Sequence, residues 1–152
     1  MENTVADSLK REYVARQTCW LKLAESEKDE LATLFKEVHI PAGETIVTEG
    51  EPVDSVFLIV EGTADVRHVT IENHAPHIVS LAKLSVGSAI GLNDTGFYSL
   101  SGVRTATVVA VTDMVLLRLS LAQFHGFALA YPHVNEVMRK NAEVVLGEES
   151  KL

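Results

Sequence analysis

Residues 87–107 read GSAIGLNDTGFYSLSGVRTAT, a stretch rich in Gly, Ser and Thr whose only charged residues are Asp94 and Arg104. A lone guanidinium at the end of such a loop suits one kind of chemistry. Arginine presents a planar fork that meets a phosphate or carboxylate with two parallel hydrogen bonds. Glycine frees neighbouring backbone N–H groups to cradle the same anion. The bland alternative is a surface arginine at the start of a strand. Asp94, followed by Thr95-Gly96, reads first as turn chemistry.

Other reactive residue types point to less. His68, His74 and His77 surround an expected hairpin with its tip at Asn73 to Pro76. His68 and His77 would approach each other if their strands faced, yet no Cys or acid stands at a metal-ligand spacing. They read as solvated strand residues. Cys19 is the single cysteine, so it forms no internal disulfide and holds no iron–sulfur cluster. The serines of TGFYSLSG do not form a Gly-x-Ser-x-Gly elbow. No enzyme, no metal and no resident cofactor is expected.

Composition bounds the class. The chain has 152 residues, is 47% hydrophobic and carries a net charge of −8. One globular domain with a real core is expected. The acidic balance argues against DNA as a partner, although a local site can still oppose the global sign. The N-terminus MENTVADSLKREY lacks the apolar core of a signal peptide, and no apolar run approaches a membrane span. A cytoplasmic protein without membrane attachment is expected.

The elements that would position Arg104 follow from periodicity. A weak helical pattern runs from Val5 to Arg16. A stronger one starts at Ser26, whose spacing to Asp29 resembles a capping box. It places Leu31, Leu34, Phe35 and Val38 on one face before Pro41 and Gly43 stop it. Then TIVT, SVFLIV, TADVRHVT, HIVSLA, RTATVVAVT and MVLLRL predict short strands punctuated by Gly, Pro, Asn or Asp. After Leu119 the helical signal returns. Ser120 and Gln123 form a second capping pair, with Leu121, Phe124, Ala128 and Leu129 as the apolar face. Pro132 opens a last helix with a stripe of Val134, Val137, Met138 and Val145, and Gly147 closes it. Residues 1–25 form an N-terminal helical segment and 26–152 the main domain.

Within PAGETIVTEGEPVDSVFLIVEGTADV, residues 41–66, Gly43, Gly50 and Gly62 fall where strands reverse. Together with Glu44, Ile46, Glu49, Glu51, Phe57-Leu58-Ile59, Val66, Leu81, Leu84 and Gly87, they give a pattern that strongly resembles the cyclic nucleotide-binding domain of the catabolite activator protein and of protein kinase A regulatory subunits. The resemblance runs from about Ser26 to the end of the chain. It implies a mainly β fold with flanking helices: an eight-stranded jelly roll, or double-stranded β-helix, with a phosphate-binding cassette between two strands.

The family usually writes that cassette as Phe-Gly-Glu-Leu-Ala-Leu, a short variable stretch, then Pro-Arg-Ala-Ala. Here its Gly falls at Gly91 and its Arg at Arg104, followed by Thr105-Ala106. The resemblance implies that Arg104 grips a cyclic phosphate with help from the Thr105 N–H and Gly91, and that Val66 and Leu81 line the base pocket. Where the family places a Glu for the ribose hydroxyl, this chain has Leu92. Losing a hydrogen bond to a charged group, roughly 1.5–3 kcal/mol, weakens ribose recognition roughly 10- to 150-fold. The loop from Gly91 to Arg104 is also longer than usual, which leaves Asn93 or Asp94 able to reach the vacated role.

The resemblance thus implies a stand-alone regulatory or sensor domain in signal transduction. It would bind cAMP or cGMP and act through its terminal helices. The alternative is a nucleotide-free domain of the same fold that docks another protein or a second copy as a homodimer. The chain stops at Leu152, where transcription factors of the family continue into a helix-turn-helix domain, so direct DNA binding is not expected.

Overall fold

The structure, a computed structural model, describes residues 6–93, 96–97 and 102–150; for residues 93, 96–97 and 142–150 it describes the backbone alone. The element order is α1 (Asp7–Ala15), a 3-10 turn (Thr18–Trp20), α2 (Glu25–Thr33), β1 (Lys36–Ile40), β2 (Thr45–Val47), β3 (Ser55–Glu61), β4 (Ala64–Glu72), β5 (Ala75–Leu84), β6 (Ala89–Ile90), β7 (Leu92–Asn93), β8 (Gly96–Phe97), β9 (Thr107–Ala110), β10 (Met114–Ser120), α3 (Leu121–Ala130) and α4 (Pro132–Ser150). Two four-stranded antiparallel sheets, β1-β10-β3-β6 and β2-β9-β4-β5, form the expected eight-stranded roll, and β7-β8 is a small separate hairpin.

The first sheet is buried on both faces, and alternation along its strands divides the core in two. Phe57 and Ile59 of β3, with Met114 and Leu116 of β10, join Val47, Ala64, Ile90, Val108 and Ala110 inside the roll. Val56, Leu58 and Val60 of β3, with Val115, Leu117 and Leu119 of β10, face the helices. There they meet Trp20, Leu31, Phe35, Phe124, Phe127, Val134 and Val137. Residues on either side of position 25 share this second core.

All six expected strand runs form. Gly43, Gly50 and Gly62 take the positive φ expected at strand reversals. Four expectations about helices need correction. The helix starting near Ser26 ends at Thr33, and Val38 lies in β1 opposite Leu116. The Leu31–Val38 stripe fits helical spacing by coincidence, because Val38 is the inward residue of a strand. The cap is also shifted: the Ala24 N–H donates to Glu27 Oε1 at 2.7 Å, and alanine offers no acceptor in return. On α3 the inward residues are Phe124, Phe127 and Ala128, whereas Leu129 is exposed. Finally, α4 runs through Gly147 to Ser150 instead of closing there. The Ser120 cap is present, its hydroxyl accepting from the Gln123 N–H at 3.1 Å, and Pro132 opens α4.

Candidate functional site

The backbone of Arg104 is fixed from both directions. Its N–H donates to the Glu51 carbonyl at 2.7 Å, and its own carbonyl accepts from the Gly50 N–H at 2.8 Å. One turn earlier the Val53 N–H reaches the Gly102 carbonyl at 2.8 Å, and Pro52 bridges to Val103. This short ladder delivers the Arg104 side chain into the mouth of the roll, where it is 7% exposed.

Its guanidinium is only partly satisfied. Nη2 donates to the Ser55 carbonyl at 2.8 Å and stands 3.5 Å from the Ser55 hydroxyl. Among the described residues the nearest carboxylate oxygen, Asp54 Oδ1, lies 3.8 Å away on a largely exposed side chain. Nη1 is buried and has no hydrogen-bond partner among the described residues. Burial pushes the Arg104 pKa down, Asp54 and Glu51 oppose that, and the nearby Arg118 cation adds to it. A guanidinium stays charged despite such a shift. The orphaned N–H groups therefore belong to a cation with hydrogen bonds left to give.

Gly91 makes room for them. It has φ +85°, and a Cβ there would lie 2.8 Å from Arg104 Nη1 and 3.3 Å from a Val56 methyl. The positive φ favours glycine, and a side chain there would push the end of Arg104 aside. So the structure brings together the two residues that the sequence places thirteen positions apart. A cavity of about 70 Å³ lies against Arg104, with Gly91, Ile90, Thr105, Ala106 and Val108 in its wall. A second cavity, about 320 Å³, also has Arg104 in its wall and is lined by Glu51, Asp54, Ser55, Phe57 and Arg118.

The remaining expected site residues fall in different places. Thr105 is exposed at the rim of the smaller cavity. Leu92 is buried, and it packs into the helix-side core while Ile90 packs inside the roll. Leu92 neither plugs the Arg104 cavity nor offers an acceptor to it. The backbone of Asn93 pairs with Gly96 in the small hairpin, as Leu92 pairs with Phe97. Asp94 lies outside the described residues. Val66 is partly buried against the core inside the roll. Leu81 sits at an irregularity of the β4–β5 ladder, where Val66 pairs with Ala82 and Arg67 with Ser80, and it is 57% exposed.

Ser55 and Asp54, which hold and flank the guanidinium, were not singled out by sequence reasoning. Their signal was a polar pair opening a strand that is otherwise wholly apolar, SVFLIV. A second polar cluster was also missed. The buried Asp65 carboxylate accepts from Arg67 Nε at 2.8 Å and Ser80 Oγ at 2.5 Å, with Lys83 Nζ at 3.5 Å. These donors hold its carboxyl at about 2, below the ordinary 3.8. The histidines form no metal cluster among the described residues. His77 faces Thr70, and His68 faces Val79 while its ring contacts Glu49 at 2.8 Å.

Comparison with known proteins decides the family. The family model described as the cyclic nucleotide-binding domain matches residues 37–131. The chain belongs to the cyclic nucleotide-binding domain family. Among curated proteins, a cyclic nucleotide-gated potassium channel of Mesorhizobium japonicum is 30% identical over 86% of this chain and 33% of the channel. This chain spans less than half the length of that channel and of other curated relatives it matches. Among solved structures, the N-terminal domain of a transcriptional regulator from Streptomyces coelicolor A3(2) superposes with a TM-score of 0.75, at 23% identity, over 91% of this chain and 95% of that one. The regulatory domain of Toxoplasma gondii PKA, solved with cAMP, gives 0.66 at 16% identity over 84% of this chain and 46% of that one. At these identities the superpositions establish the fold. Cyclic nucleotide-binding domains are regulatory units. No helix among the described residues is long and apolar enough to cross a membrane.

Proposed function

We propose that this cyclic nucleotide-binding domain is a sensor module in which Arg104 holds the phosphate of cAMP or cGMP. The observation that carries the reading is the buried Nη1 group of Arg104 with no partner among the described residues. A buried charged donor left unsatisfied is unfavourable by roughly 1–3 kcal/mol or more, and a phosphate oxygen removes that penalty. The Thr105 N–H would assist, the missing side chain of Gly91 would let the phosphate approach, and Val66 and Leu81 would stand on the base side. Leu92 gives the ribose hydroxyl no acceptor, so affinity is expected to be weak for the family.

Leu92 also suggests how binding would be read out. It is one residue from Gly91 and packs in the same core as Phe124, Phe127, Val134 and Val137 of α3 and α4. A ligand that shifts Gly91 shifts Leu92, and with it the seat of the terminal helices. Those helices would then act on another protein or on a second copy.

Calorimetric titration with cAMP and with cGMP tests this. Submillimolar binding by the native domain, lost in Arg104→Ala, is the expected result. A second reading is a nucleotide-free interaction module. It is favoured by the size of the cavity at Gly91, about 70 Å³ against the roughly 300 Å³ at which small-molecule pockets begin. No heat and no thermal shift with either nucleotide at millimolar concentration would replace the sensor with that reading.

A further inference from the structure

The cavity of about 320 Å³ beside Arg104 holds a second arginine, Arg118, that the cyclic nucleotide reading does not use. Arg118 lies on β10 directly opposite Phe57 of β3, and side chains at paired positions share a face. That face is the inside of the roll, where Phe57 is buried. Two residues earlier on β3 stands Ser55, whose carbonyl accepts from Arg104 Nη2 at 2.8 Å. The start of β3 therefore brings two guanidiniums to one opening, Arg104 from the loop before β9 and Arg118 from the sheet. Buried Val47 and Phe57 supply apolar lining. A volume of this size reaches the lower end of small-molecule sites, about 300 Å³.

The two cations disturb one another. Burial is the larger cause of the lowered Arg104 pKa, and the Arg118 charge adds to it. Like charges at one site destabilise each other, and the compensation within the chain is incomplete. Glu51 and Asp54 line the cavity from exposed positions, where water screens them. Asp54 Oδ1 accepts from the Ser55 hydroxyl at 2.9 Å and stays 3.8 Å from Arg104. Arg118 makes no hydrogen bond and no ion pair among the described residues. Arg104 Nη1 likewise lacks a hydrogen-bond partner among them. An anion with several oxygens can meet two guanidinium forks at once. Two forks also match a dianion better than a monoanion. A phosphomonoester carries about −1.5 to −2 at pH 7, where a cyclic diester carries a single negative charge.

We infer that the cavity shared by Arg104 and Arg118 binds a dianionic phosphate group, either inorganic phosphate or the end of a phosphomonoester, with Arg118 selecting two charges over one. The site lies apart from the smaller cavity at Gly91, and it does not rest on cyclic nucleotide binding.

Calorimetric titration of the native domain with inorganic phosphate and, separately, with 5′-AMP tests it, at constant ionic strength set with chloride. Binding at millimolar concentration or below is expected for at least one of them. Tighter binding of phosphate marks a free-anion site, and tighter binding of 5′-AMP a monoester site. Arg118→Gln, at a half-buried position, is expected to weaken binding at least tenfold with an unchanged melting temperature in chloride. Arg118→Lys keeps the charge but loses the fork, and is expected to weaken it by a smaller factor. Asp54→Asn removes a rival anion and is expected to strengthen it severalfold. Lys140→Gln, on the exposed side of α4, leaves it unchanged. Phosphate binding that needs Arg118 in a domain that ignores both cyclic nucleotides keeps this site and removes only the sensor reading. No heat with either anion at millimolar concentration, or an affinity unchanged in both Arg118 variants, or one that falls equally in Lys140→Gln, overturns the inference.

Discussion

Two buried charges, Asp65 on β4 and Arg104 just before β9, are treated differently. Asp65 has three donors around it, from Arg67, Ser80 and Lys83. Among the described residues Arg104 has one good acceptor, the Ser55 carbonyl, and a carboxylate at 3.8 Å. Its second terminal nitrogen is buried without a partner among the described residues. Burying a charge is unfavourable unless its hydrogen-bonding capacity is used. Asp65 meets that rule from within the chain and is a structural charge. Arg104 meets it only in part, which is how a chain prepares a site for an anion it does not itself supply.

The sharpest way to break this comparison is to remove Arg104. Arg104→Ala is expected to lower cyclic nucleotide affinity at least 100-fold by calorimetry, since two charge-assisted bonds at about 1.5–3 kcal/mol each are lost. Folding stability should change by no more than about 1 kcal/mol, because the lost Ser55 contact is offset by relief of an incompletely paired buried cation. If the stability loss is large and the affinity unchanged, Arg104 is structural like Asp65 and the distinction fails.

Leu92 comes next in size. It is buried in the helix-side core. Leu92→Ala is expected to destabilise by about 2–4 kcal/mol in chemical denaturation, as for other buried leucines. Leu92→Glu is expected to destabilise at least as much without improving nucleotide affinity, since it buries an unpaired carboxylate among aliphatic and aromatic side chains. A gain in affinity in Leu92→Glu would show that the side chain reaches the ligand after all.

Gly91→Ala should be smaller, at about 1–3 kcal/mol of backbone strain, with a Cβ 2.8 Å from Arg104 Nη1. Its diagnostic effect is a loss of nucleotide affinity larger than its loss of stability. Equal losses would mean that Gly91 serves only the turn.

Asp65 gives the smallest and most specific effect. Its carboxyl titrates at about 2 in the fold against an ordinary 3.8. The folded pKa is the lower one, so the ionised group contributes stability above the unfolded value, and that contribution is lost as pH falls towards 2. Melting temperatures measured across this window should fall more steeply for the native domain than for Asp65→Asn. Parallel curves would mean that the Arg67, Ser80 and Lys83 contacts do not hold the carboxylate.

The roll was legible in the sequence because its signals are local. Alternating apolar residues and glycines at reversals survive in short windows, and so does the Ser120 cap. Gly91 and Arg104 were legible only through the spacing of a whole cassette, because neither residue type is distinctive alone. What escaped is non-local. The strand at Lys36–Ile40 was hidden by helical spacing, and only its pairing with β10 makes it a strand. The Ser55 carbonyl is a backbone group and carries no residue signature, so the partner of Arg104 had no sequence signal. The side on which Leu92 packs depends on which core lies nearer, a question that alternation in a two-residue strand cannot answer.

The measurement closest to the central contrast is nitrogen-15 NMR of the Arg104 guanidinium during titration with cAMP and cGMP. The account predicts that its terminal N–H signals shift, sharpen and resist solvent exchange as one of the two nucleotides saturates. An Arg104 signal unchanged to millimolar concentrations of both would contradict it.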